Sequence, residues 1–460
     1  MGLNDILEIH PAVGRNPPPA APHRNRAGAS LVPESVTLAD GKPLSISAFD
    51  AINVPRHRWF FFKEAFSPDV VDKAIADTGC GPNDIVIDPF SGSGTVALQS
   101  AIREVTSTGL EVNPFLAFVS KTKVSSCAVK AFEAAAEAVL KPARRGRASR
   151  LAGFSTFSEP VTREKGPKKW LFNRAVLQAF EGAWQAVGTS DTASQRMVKL
   201  CLLGAANDVC NAVKDGKALR YRSDWEEQSY SAADFIAAFE VRVADIAEDL
   251  VLAPDVGSRA TIRLGDARRK APAEGFKLCV TSPPYLNSFD YTDVYRPELF
   301  LGGWVTDMAG LRRLRLRTIR SHVQVKWNDP KTDGFGAHYT ESVKRLGRRK
   351  SGLWNARIPL MVQAYFEDMK VVLTNLRKAA APNASTWMVV STSAYAGVEI
   401  PVDLILADIG STCGWYLREV SVIRYLGQVA GQQWKKLASQ DSENLPHLRE
   451  SLIIFDAAPR

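Results

Sequence analysis

From Phe66 onward, short apolar runs alternate with stretches in which apolar residues recur every three or four positions. The runs are Asp84–Phe90 (DIVIDPF), Ser107–Asn113 (STGLEVN), Thr261–Arg268 (TIRLGDAR), Phe276–Tyr285 (FKLCVTSPPY), Thr386–Ser393 (TWMVVSTS), Trp415–Tyr425 (WYLREVSVIRY) and Glu450–Asp456 (ESLIIFD). The early ones are short and continuous, which suits strands buried on both faces, as in parallel sheets. Helical spacing falls between them, over Val96–Arg103, Leu360–Lys378 and Val402–Asp408. Strands interleaved with helices predict an open α/β, Rossmann-like sheet of seven strands, the last two able to pair antiparallel.

Two stretches break the alternation. Residues 123–259 carry helical spacing almost throughout and read as a helical insertion, while residues 305–354 are basic and poor in apolar periodicity. Residues 1–45, with Pro17-Pro18-Pro19 followed by His23-Arg24-Asn25-Arg26, lack apolar periodicity and read as a flexible arm. The sheet is therefore assigned to residues 46–122, 260–304 and 355–460.

Composition narrows the class. The 460 residues are 45% hydrophobic and 23% charged, as in folded globular proteins, and no apolar run approaches a membrane span. The N-terminus has no basic segment followed by an apolar one, so the expected location is the cytoplasm, without a secretory signal. Six scattered cysteines without a CxxC pair suit free thiols in a reducing compartment, and six separated histidines offer no metal site. The net charge of +9 is concentrated. Lys121–Lys169 holds 12 Lys/Arg against 4 Asp/Glu, and Gly310–Lys350 holds 12 against 3, so the rest of the chain is mildly acidic. Two basic segments on an acidic body point to a polyanionic partner, nucleic acid first.

Four strand ends carry candidate chemistry. Asp88-Pro89-Phe90-Ser91-Gly92-Ser93-Gly94-Thr95 closes the first strand and opens a helix. Its glycines permit a tight turn and close approach of a ligand, and the helix start offers free N–H groups. The GK[ST] ending of a nucleotide-triphosphate loop is missing, and Asp88 favours a ligand bearing an amine or other cation. Glu111, in Gly109-Leu110-Glu111-Val112-Asn113, follows the glycine turn at the distance at which an acid accepts from ribose hydroxyls. Asp266, in Leu264-Gly265-Asp266, ends the third strand and can accept from an adenine amine. Thr281-Ser282-Pro283-Pro284-Tyr285 ends the fourth. Two prolines cannot continue a central ladder, so the chain must leave the sheet as a stiff loop. A planar base amine could donate to Ser282 and to the Pro283 carbonyl while Tyr285 stacks on the ring.

Taken together, the four motifs resemble the S-adenosylmethionine-dependent amino-methyltransferases of DNA, which act on N4 of cytosine or N6 of adenine. DPFSGSGT is similar to that family's cofactor loop, TSPPY to its catalytic loop, and Phe66-Ser67-Pro68-Asp69 to a further cofactor-contacting segment. The resemblance implies the methyltransferase form of the sheet, S-adenosyl-L-methionine as cofactor and double-stranded DNA as substrate, with the target base flipped out of the helix. It also admits a cognate restriction endonuclease as partner, and implies no metal. Its cofactor residues would be Phe66, Ser67, Asp88, Pro89, Phe90, Gly92, Ser93, Gly94, Thr95, Glu111, Asn113 and Asp266, and its catalytic loop Ser282, Pro283, Pro284 and Tyr285. Family members with Ser before Pro-Pro-Tyr lean towards N4-cytosine, and those with Asp or Asn towards N6-adenine. Cytosine N4 is therefore expected, with adenine N6 the alternative, and an RNA methyltransferase or a non-catalytic nucleic-acid-binding protein as further ones. The cofactor loop precedes the catalytic loop, whereas many N4-cytosine members have the permuted order. DNA contacts are expected from Arg312, Arg313, Arg315, Arg317, Arg320, Arg345, Arg348 and Arg349, with Trp327 and Trp354 as wedges, stacking platforms or core residues.

Overall fold

The computed structural model describes residues 36–38, 42–151, 169–215, 218–252, 256–426, 446 and 448–459. Most of the 1–45 segment and part of the first basic stretch thus lie outside the described residues. Helix α1 (Pro68–Thr78) leads into β1 (Ile85–Asp88), α2 (Thr95–Ile102), β2 (Thr106–Glu111) and α3 (Pro114–Lys123). Next come α4 (Val129–Arg145), α5 (Arg174–Val187), α6 (Ala193–Asp208), a hairpin of β3 (Ala212–Asp215) and β4 (Ala218–Tyr221), and α7 (Ala232–Leu252). Strands β5 (Ala260–Leu264) and β6 (Phe276–Thr281) precede α8 (Tyr291–Val294), α9 (Arg296–Leu301), α10 (Met308–Arg315), α11 (Ala337–Arg348) and α12 (Ile358–Ala379). The chain closes with β7 (Ala380–Ser391), a hairpin of β8 (Ser393–Tyr395) and β9 (Val398–Ile400), α13 (Val402–Thr412), β10 (Tyr416–Tyr425) and β11 (Arg449–Asp456).

All seven expected strands join one sheet, in the order β10-β11-β7-β6-β1-β2-β5. Strands β5, β2, β1, β6 and β7 run parallel, while β11 is antiparallel to both β7 and β10. This is the predicted Rossmann-like α/β sheet. The strand order reverses at β1, with β2 on one side and β6 on the other, and a crevice for a ligand opens at such a point beyond the carboxyl ends of the strands. The loops after β1 and β6 are DPFSGSGT and TSPPY, so the fold brings the two motifs face to face.

Alternate residues of the strands feed two cores. Val86, Leu278, Val280, Trp387 and Val389 pack on α1, and Ile87, Cys279, Met388 and Val390 pack on α12 and α13. Leu44 and Ile46 are buried in the first of these layers, and Leu44 N–H donates to the Val36 carbonyl. The described part of the segment expected as an arm is therefore packed on the sheet. Two proline-started helices owe their positions to capping. Ser67 accepts from Asp69 N–H at the start of α1, and Asn113 from Phe115 N–H at the start of α3.

The described part of residues 123–259 is built mainly of helices α4 to α7 and shares its core with the sheet. Residues of α4 to α7 form one apolar cluster with Trp59, Phe60, Phe62, Phe115 and, from the basic segment, Leu311 and Leu314. Asp249 of α7, fully buried, fastens this junction. It accepts from Arg56 N–H at 2.7 Å, from Arg58 Nε at 3.0 Å and from Trp59 Nε1 at 2.9 Å. Removing one member of a buried charged network leaves the others unpaired, which costs roughly 3–5 kcal/mol. Asp249→Ala is expected to lower stability by about that amount in urea unfolding, and Phe→Ala at any buried ring of the same cluster by a similar amount. An unchanged midpoint for Asp249→Ala would mean that the junction does not depend on it.

Candidate active site

The loop after β1 turns on two glycines with different duties. Gly92 sits at φ +51°, and its N–H donates to Glu111 Oε2 at 2.8 Å. Gly94, at φ +88°, lies so close to α3 that a Cβ would overlap the Ser120 side chain and approach its Cα to 3.0 Å. The first glycine therefore faces the crevice and the second allows α2 and α3 to approach one another.

Asp88 and Glu111 line the crevice, only 3% and 8% exposed. Asp88 Oδ1 accepts from Thr281 Oγ1 at 2.7 Å and from Phe90 N–H at 2.9 Å. Glu111 Oε1 accepts from Asn113 N–H at 2.8 Å. Burial, only partly offset by these bonds, pushes both carboxyl groups up to about 7. Neighbouring Asn113 is buried, and its Nδ2 has no hydrogen-bond partner. Two acids lifted towards neutrality and an unsatisfied donor are costly to bury for the fold alone, and suit a ligand carrying a cation and hydroxyl groups.

The cleft contains about 970 Å³ of unfilled space, including its open mouth. It is lined by Phe66, Asp88, Pro89, Phe90, Gly92, Ser93, Thr95, Glu111, Asn113 and Asp266 among the expected cofactor residues, and by Ser282 and Pro284 of the second loop. Ser67 and Gly94 stand behind the lining as cap and packing residues. Asp266 is held from outside by Arg268, with Nε on Oδ1 at 3.0 Å and Nη2 on Oδ2 at 2.8 Å. Arg268 also reaches Asp368 and the Arg317 carbonyl.

In the TSPPY loop, Pro283 is buried and Tyr285 is half-buried. The Tyr285 hydroxyl donates to Glu450 Oε1 of β11 at 3.2 Å, and Glu450 is in turn paired with Arg424 of β10. Burial and the Glu450 charge push the phenol well above its ordinary range, so it stays a neutral donor.

Several lining residues escaped the sequence reading. Phe62 and Glu64 precede the Phe66 segment, and Glu64 accepts from the Tyr295 hydroxyl at 2.8 Å. Tyr291 and Thr292 follow the catalytic loop. From the basic segment, Thr318, Ile319, Ser321 and His322 line the cleft together with Arg317, which the sequence assigns to DNA instead. A reading that followed Phe66 back along its aromatic run would have found Phe62. The His322 wall left no sequence signal, because its approach depends on a tertiary hydrogen bond from Ser288 N–H to the Ser321 carbonyl.

The expected DNA-contacting arginines divide. Arg312, Arg313, Arg317, Arg345, Arg348 and Arg349 are exposed. Arg315 is engaged by Asp290 and Asp293, and Arg320 by Glu367 and Asp368. Trp327 is buried with the Arg357 and Arg320 guanidinium groups over its ring at 4.5 and 5.8 Å, whereas Trp354 is exposed. All six cysteines are free thiols. Among the described residues, no helix is long and apolar enough to cross a membrane, and no group of three His, Cys, Asp or Glu is placed to hold a metal.

No family model matches the chain. It is 24% identical to the Type II methyltransferase M.AvaI of Nostoc sp., over 87% of each chain. It is 23% identical to the Type II methyltransferase M.BsoBI of Geobacillus stearothermophilus, over 87% of this chain and 85% of that one. Among solved structures, the rRNA methyltransferase aviRa of Streptomyces viridochromogenes aligns at 10% identity with a TM-score of 0.27, over 88% of this chain and 85% of that one. TrmN of Thermus thermophilus aligns at 8% identity with a TM-score of 0.28, over 88% and 52%. Scores of this size carry no weight, and the fold rests on the strand order above.

Proposed function

We propose that this chain, which matches two Type II methyltransferases along most of its length, methylates DNA, and that it uses S-adenosyl-L-methionine to place the methyl group on the N4 amine of cytosine. The observation that carries this reading is the convergence of DPFSGSGT and TSPPY on one cleft at the reversal point of the sheet. Transfer of a labelled methyl group from S-adenosylmethionine to duplex DNA tests it.

Asp88, Glu111, Asn113 and Asp266 would hold the cofactor, which supplies an electrophilic methyl group on a sulfonium. Asp88 provides charge for its cationic end, and the unsatisfied Asn113 Nδ2 provides a donor. Glu111 would accept from ribose hydroxyls, and Asp266, steadied by Arg268, would accept from the adenine amine. Ser282 and the Pro283 carbonyl accept from the exocyclic amine of a flipped base, which orients its lone pair. Tyr285 supplies a stacking surface in place of the lost neighbours. Catalysis then consists of positioning and fixed electrostatics. Serine at position 282 supports cytosine, and a protein lacking that preference would yield N6-methyladenine.

Two outcomes follow from the charges. Asp88 and Glu111, pushed up to about 7, are partly protonated in the free protein at neutral pH. A cationic ligand favours their ionised forms, so cofactor affinity is expected to rise across roughly pH 6 to 8 with release of protons. Calorimetry in buffers of different ionisation enthalpy measures that release, and none at pH 7 would contradict the assignment. The effect on stability has the opposite sign. Both pKa values are raised by folding, so their contribution is greatest below about pH 4 and is lost as the pH climbs through 7.

The exposed arginines supply the second outcome. Replacing Arg345, Arg348 and Arg349 with alanine is expected to weaken binding to all DNA sequences alike. The slope of log K against log salt should fall by about 0.9 for each phosphate that the variant no longer neutralises. An unchanged slope would remove this face from the DNA interface.

A further inference from the structure

Trp354 is 50% exposed and closely follows Lys344, Arg345, Arg348, Arg349 and Lys350 in the chain, all exposed. Among the described residues, none of these cations pairs with an acid, and Trp354 has no ring or cation partner. Trp327, by contrast, is buried between two guanidinium groups. A large aromatic held out into water beside five unpaired cations is unusual for a surface without a partner.

Its base is rigid. Leu353 packs against the core that contains Tyr395 and Val398. The turn before it abuts the tip of the β8–β9 hairpin, where a Cβ on Gly352 would lie 3.2 Å from Ala396. The same hairpin is bonded to the catalytic loop, since the Tyr395 hydroxyl donates to the Leu286 carbonyl at 2.8 Å. Leu286 follows Tyr285 directly. The segment that carries the exposed indole is therefore linked to the catalytic loop through this one hairpin.

We infer that Trp354 enters the duplex beside the target base and fills the stack which that base vacates, with the neighbouring cations on the flanking phosphates. Apolar side chains wedged between base steps offset an unstacking cost of a few kcal/mol per step. The inference rests on the reading of the chain as a methyltransferase that flips its target, and names the residue that supports the flipped state.

The test compares wild type, Trp354→Phe and Trp354→Ala, as full-length protein, on two duplexes built around the methylated sequence. In one the target base is normally paired, and in the other it lies opposite an abasic site and is already loosened. Trp354→Ala is expected to lose about tenfold or more in kcat/KM on the paired duplex, Trp354→Phe less, and both to act almost normally on the loosened one. Cofactor affinity and Tm should not change. With 2-aminopurine at the target position, the fluorescence rise on binding should be lost in Trp354→Ala. Equal activity of wild type and Trp354→Ala on the paired duplex would overturn the inference, as would an equal loss on both duplexes. Failure of the underlying reading looks different, because wild type would then methylate neither duplex.

Discussion

Replacing Tyr285 with alanine is expected to remove most DNA methylation while leaving cofactor binding intact. Stacking of a base on an aromatic side chain is worth about 1–3 kcal/mol, which corresponds to roughly a 5- to 150-fold loss. The side chain is a neighbour of the cofactor cleft rather than part of its lining, so calorimetric affinity for S-adenosylmethionine should stay near that of wild type. The bond to Glu450 allows a finer separation. Tyr285→Phe keeps the ring and loses only the hydrogen bond at 3.2 Å, so it should retain far more activity than Tyr285→Ala. Single-turnover methylation with saturating cofactor measures both. Full activity of the alanine variant would remove the stacking role.

Asp88→Asn should separate function from stability. Asparagine can still accept from Thr281 and Phe90 N–H, the two bonds that place residue 88, but brings no charge to the cleft. Loss of a charge-assisted interaction of about 1.5–3 kcal/mol predicts cofactor binding weaker by roughly 10- to 150-fold. The free protein should be no less stable, since the substitution removes a carboxyl group that burial pushes up to about 7. Calorimetry and thermal unfolding of the free protein decide the matter together. A destabilised protein with normal cofactor affinity would show Asp88 to be a structural residue only.

The parts legible in the sequence are those whose physics is local. Apolar runs marked all seven strands of the main sheet; β1, β2, β6, β7 and β11 are buried over most of their length, whereas the edge strands β5 and β10 are largely open. Glycine and proline marked the two loops because each imposes its own backbone. The β3–β4 and β8–β9 hairpins went unseen, since strands of three or four residues leave too few positions for a period to show. Strand β7 begins at Ala380, ahead of its apolar run at Thr386, because its first residues are exposed. Tertiary partners were the main loss. Arg315 and Arg320 read like their neighbours in a basic run, yet acids from α8 and α12 or just before α8 neutralise them. Nothing near Tyr285 in sequence announces Glu450, 165 residues away. Trp327 and Trp354 were equivalent on paper, and only packing separated the buried indole from the exposed one.

The reaction proposed for the cleft makes one bond, between a methyl group and an exocyclic nitrogen of DNA. Duplex DNA of mixed sequence incubated with the protein and methyl-labelled S-adenosylmethionine, digested to nucleosides and analysed by mass spectrometry, reads that bond directly. The expected result is label in N4-methylcytosine. Label in N6-methyladenine alone would contradict the base assignment drawn from Ser282, and DNA without label would contradict the assignment of the cleft itself.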